Sequence, residues 1–112
     1  MDKYYKLVTF VPESHLDKVR KAVCKAGAGK IGGKYDNCSF YSFGTGTFRP
    51  LPGAKPFIGK KGKLVKVSEA RLEIIVAKKD LKKVIAAMKK AHPYEEPAFD
   101  VYSLIHPVEG IG

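Results

Sequence analysis

The chain has 112 residues, enough for one domain with a modest core, and its 45% hydrophobic residues, with six Phe and six Tyr, exclude a disordered chain. Its 21 Lys and Arg against 11 Asp and Glu give a formal net charge of +10, which favours anionic partners. Only three of these cations are Arg (Arg20, Arg49 and Arg71), and base readout relies on Arg, so the residues do not favour a dedicated nucleic-acid binder.

Cys24 and Cys38 are too few for the disulfide framework of a small secreted domain. Neither belongs to a CxxC pair, so a thiolate zinc site is not indicated. The start, Met1-Asp2-Lys3-Tyr4-Tyr5-Lys6, has no apolar signal core, and no run approaches the length of a membrane span. The expectation is a cytoplasmic protein with reduced thiols and no membrane contact.

In chain order, Lys3 to Val11 is rich in Tyr, Val and Phe and predicts a strand. Both of its faces are largely apolar, as in a central strand. Pro12 ends it, and Ser14 with Asp17 resembles a capping box. Leu16, Val19, Val23 and Ala26 then recur at helical spacing, and Gly27 and Gly29 stop the helix. Alternation around Cys38, Phe40 and Ser42 predicts a second strand that weakens at Gly44 and Gly46. Arg49 to Gly62 holds three Pro and three Gly and predicts a long loop, a feature that is usually functional or disordered.

Val65 to Ala77 predicts the third strand, with Leu72, Ile74 and Val76 on one face. Asp80 is placed as an N-cap for a second helix with the stripe Leu81, Val84, Ile85 and Met88. Pro93 stops that helix at His92, and Phe99 to Ile105 predicts the last strand. The order is βαββαβ, an α+β ferredoxin-like sandwich: a four-stranded antiparallel sheet with two helices on one face. The expected organisation is one domain over 1–106 and a loose tail over 107–112. One sheet face is left uncovered, and another subunit is its natural cover, which predicts a homo-oligomer.

Three stretches go beyond a generic fold. They are Gly29 to Phe40 with Gly44-Thr45-Gly46-Thr47-Phe48-Arg49-Pro50 and Gly53 to Gly59; Val67 to Glu73; and His92-Pro93-Tyr94-Glu95-Glu96-Pro97-Ala98-Phe99-Asp100-Val101-Tyr102. Together they closely resemble the inserted domain of the NIF-three-like family, whose members are also called GTP cyclohydrolase type 2 homologues. The resemblance implies a CutA/PII-like domain that helps close an oligomer, often by trimer contacts, here standing alone. In that family the dinuclear metal centre belongs to the outer domain, so the resemblance gives its ligands no counterpart here and carries over no metal-centre chemistry.

Two candidate sites follow. His92, Glu95 and Glu96, with His15 brought to the same edge by the topology, could ligate a divalent metal; CutA-like proteins are associated with copper. The plainer reading is a helix-terminating turn shaped by Pro93 and Pro97. His106 is expected at the opposite end of the last strand. Lys55, Lys60 and Lys61 with Thr45 and Thr47 form a candidate anion site beside the N-terminus of the first helix, suited to a nucleotide or phosphate. The Gly-Thr-Gly-Thr run lacks P-loop spacing, and the plainer reading is a solvated or interface loop. Glu69, Arg71 and Glu73 alternate on one strand face and predict a cross-strand ion-pair network rather than acid-base catalysis. No nucleophile-base pair is visible, and both thiols read as inert. The reading is a binding or regulatory module without its own catalysis or cofactor, with an anion sensor and a metal binder as alternatives.

Overall fold

The computed structural model describes residues 3–105. The expected tail and His106 lie outside the described residues. Four strands, β1 (Tyr4–Pro12), β2 (Ser39–Phe48), β3 (Val65–Ala77) and β4 (Phe99–Leu104), alternate with helices α1 (Leu16–Lys25) and α2 (Leu81–Ala91) in the expected order. The sheet order is β2-β3-β1-β4, and each neighbouring pair is antiparallel. β1 is therefore central, as its two apolar faces require. At its start Tyr4 is the sheet partner of Leu104, so the two described ends of the chain lie side by side.

Registers and alternation sort the side chains. Leu7, Val11, Ala70, Leu72, Ile74 and Val76 pack with Val19 and Val23 of α1 and Val84 and Met88 of α2 into one core. The opposite face presents Lys6, Val8 and Phe10 of β1, Arg71, Glu73 and Ile75 of β3, Phe40 of β2, and Asp100 and Tyr102 of β4. No helix lies on that face among the described residues.

Three local expectations change. α1 begins at Leu16 after a 3-10 turn, Glu13–His15, so the cap position falls to His15 and there is no side-chain cap bond. Ser14 Oγ instead bonds His15 Nδ1 at 2.8 Å, and Asp17 pairs with Arg20 at 3.5 Å. Asp80 does stand at the start of α2, yet its carboxylate makes no cap bond. It is buried against Gly27 and pairs with Lys83 at 3.0 Å. β2 does not weaken at its glycines: it pairs with β3 without a break from Ser39 to Phe48. Backbone pairing holds it, and Gly46 has a specific use described below. The resulting long hairpin draws the molecule out to 52 × 23 × 21 Å.

Candidate functional site

The loop between β2 and β3 is folded, not loose. Gly62 N–H donates to the Pro50 carbonyl at 2.6 Å, closing its base, and Ala54 N–H donates to Leu51 at 3.0 Å. Its far side is tied down by Lys55 N–H, which donates to Glu95 Oε1 at 2.7 Å. The loop thereby covers one end of the open sheet face and leaves a cleft of about 1160 Å³. Phe10, Gly44, Gly46, Phe48, Glu69 and Arg71 of the sheet line it, with Pro50 to Ile58 of the loop (Lys55 excepted) and Tyr94, Glu95, Glu96 and Ala98.

A run of rings borders this end of the domain. His15 meets Phe57 edge-on at 5.3 Å, Phe57 lies 6.4 Å from Tyr94, and Tyr94 lies 5.9 Å from Phe48 and 4.9 Å from His92. Such spacings are those of mutually attractive aromatic pairs. Below them Tyr94 donates its hydroxyl to Glu69 Oε2 at 2.8 Å. Glu69 is only 9% exposed, and its side chain lies over Gly46, where a Cβ would overlap the carboxylate. The missing side chain of Gly46 is thus what seats a buried acid in the cleft. Burial, and then the Glu69 carboxylate, push the Tyr94 hydroxyl above its usual range, so it stays a donor. Removing the donor leaves a buried carboxylate without its hydrogen bond: Tyr94→Phe should cost about 2 kcal/mol, read from the urea midpoint.

His15 and His92 do reach the same edge, but the four metal candidates do not converge. His92 Nε2 donates to the Phe10 carbonyl at 2.8 Å, and its Nδ1 accepts from Tyr94 N–H at 3.2 Å. Both ring nitrogens of the neutral imidazole are therefore in use. Glu95 is spent on the Lys55 amide, and the described residues contain no group of three His, Cys, Asp or Glu able to hold a metal. The anion set divides: Thr45 and Thr47 line the cleft, whereas Lys55, Lys60 and Lys61 do not. Glu69 also leaves the expected ion-pair network. Arg71 Nε lies 3.6 Å from Glu73 on its own strand, and its guanidinium sits over Phe10. The Glu69–Tyr94 pair was not read from the sequence. Cys24 is half-buried, and burial raises its thiol pKa, which fits an inert role.

Burial lowers the His92 pKa below its ordinary 6.5 and outweighs the raising effects of the Phe10 bond and Glu69; His15 adds to the lowering. As pH falls through 6.5 the unfolded chain takes up the proton first, so folded stability declines until the folded imidazole also protonates. Urea midpoints at pH 7 and pH 5 should show this loss, and His92→Gln should flatten the difference.

No family model matches the chain. A protein of Halalkalibacterium halodurans named GTP cyclohydrolase 1 type 2 homolog is 53% identical over 111 residues, 99% of this chain and 30% of that protein. The Bacillus cereus protein related to NIF3 is 48% identical, with a TM-score of 0.81 over 94% of this chain and 26% of that one. The chain is homologous to one segment of the NIF-three-like proteins. The family expectation is thereby borne out. The PII-like protein CutA from Nostoc sp. PCC 7120 aligns with a TM-score of 0.63 at 18% identity, covering 94% of this chain and 82% of that one. A likeness at that identity concerns the fold, which is CutA/PII-like and ferredoxin-like as expected. The chain spans about 30% of the length of the curated relative, and that name belongs to the whole protein. Among the described residues, no helix is long and apolar enough to cross a membrane.

Proposed function

We propose that this chain is a self-associating binding module without catalysis of its own, a trimer as the family resemblance implies, working in the cytoplasm. The observation that carries this reading is the uncovered face of the sheet. Phe40 on β2 is 65% exposed and Tyr102 on β4 is 49% exposed, at opposite edges of a face that no helix among the described residues covers. Between them lie both signs of charge, with Lys6 and Arg71 beside Glu73 and Asp100, so a second copy can meet apolar and charged groups together. The cleft at the end of this face is the ligand site.

Sedimentation equilibrium tests the association. A mass of three chains supports the reading, and a monomer at all concentrations overturns it. The ligand part is tested by the thermal midpoint against nucleotides, inorganic phosphate, organic cations and divalent metals, since a ligand selective for the folded form raises it.

A further inference from the structure

The charges of the cleft run against those of the chain. Eighteen lysines give the chain its positive balance, yet none lines the cleft, whose charged groups are Glu69, Glu95, Glu96, Arg49 and Arg71. Glu95 is committed to the Lys55 amide, and Arg71 to Glu73 and the Phe10 ring. Glu69 is half committed. Its Oε2 accepts from Tyr94, while no described residue donates to Oε1, which lies against Gly46 in a residue only 9% exposed. A buried carboxylate oxygen without a donor is costly, and a ligand able to donate to it recovers that cost. The rings of Phe48, Tyr94 and Phe57, whose faces attract cations, line the same cleft.

We propose that the cleft takes a planar nitrogen cation, of the amidinium or guanidinium class. One N–H closes on Glu69 Oε1, and the flat cation lies among Phe48, Phe57 and Tyr94. Gly46 is the specificity element, because only a residue without Cβ leaves the carboxylate in place. Arg49 offers the opposite charge in the same cleft, so a matched pair of probes decides between them. This inference rests on reading the cleft as a ligand site.

The test is calorimetric titration of the chain with benzamidine and with benzoate, equal in shape and opposite in charge, with solution mass recorded in each sample. Benzamidine should bind and benzoate should not. Glu69→Gln should weaken benzamidine by about tenfold or more, the loss of one charged hydrogen bond. Phe57→Ala, at a half-exposed loop position outside the core, should weaken it by about fivefold while leaving mass and fold unchanged. Equal or tighter binding of benzoate overturns the proposal, as does full benzamidine affinity in both variants. If phosphate or a nucleotide raises the thermal midpoint while benzamidine does not bind, the ligand class is wrong and the binding-module reading survives. If nothing binds, this proposal and the ligand part of the reading fall, and self-association is decided by the recorded mass.

Discussion

Gly29→Ala should lower stability by about 3 kcal/mol, the largest loss we expect from adding a single methyl group. Gly29 has φ +80°, a left-handed conformation that a side chain resists at a cost of roughly 1–2 kcal/mol. It is also clamped. Its N–H donates to the Ile75 carbonyl at 2.8 Å and its carbonyl accepts from Cys38 N–H at 2.9 Å. A Cβ would stand 3.0 Å from both the amide and the carbonyl of Cys38 and 3.1 Å from Ile74 Cδ1. Two of these neighbours are backbone atoms of Cys38, whose amide is held in the bond to Gly29, so they cannot step aside as a flexible side chain would. Gly53→Ala is the control: φ is +96°, but nothing lies within 4 Å of the new Cβ. It should cost about 1 kcal/mol, from backbone conformation alone. Equal urea midpoints for the two variants would show that the clamp adds nothing.

Tyr102→Asp combined with Phe40→Asp should convert the proposed trimer to monomers without unfolding the chain. Both side chains are exposed in the single chain, so their loss leaves the core intact. In an assembly that buries this face, each new carboxylate would be desolvated, the one at position 40 opposite Glu73 and the one at position 102 opposite Lys6 and two residues from Asp100. A few kcal/mol per interface corresponds to a fall of at least about a hundredfold in the association constant. Sedimentation should report the loss, and far-ultraviolet circular dichroism should stay unchanged. Tyr35→Asp, in the small turn bridged by Ile31 and Tyr35, serves as the control and should keep the mass. If the double variant also keeps its mass, the open face is not the contact.

The fold was largely legible because its signals are local. The apolar faces of β1, the stripe of α2 and the bounds of β3 each follow from periodicity within one segment. That His15 and His92 share an edge also followed from element order alone. The cap assignments failed for a short-range reason: one extra 3-10 turn shifts which residue precedes the helix, and the freed Ser14 hydroxyl bonds the imidazole instead. The core of the candidate site failed for a long-range reason. Glu69 and Tyr94 are 25 residues apart, and their bond depends on Gly46 of a third segment. Read singly, Gly46 weakens a strand and Glu69 joins its nearest charges. Strand pairing supplies the missing signal, because Glu69 stands opposite Gly44 and next to Gly46, a carboxylate facing two positions without side chains.

The pairing of Tyr4 with Leu104 makes the domain portable. A polypeptide that enters at one of these residues leaves beside it, so a host chain spliced there would keep its own two flanks within a few ångströms of each other. The same geometry permits circular permutation: a short linker can join the two strands, and new termini can be opened at the exposed Lys60–Lys61 step of the loop. The order of the segments would change and the sheet would not.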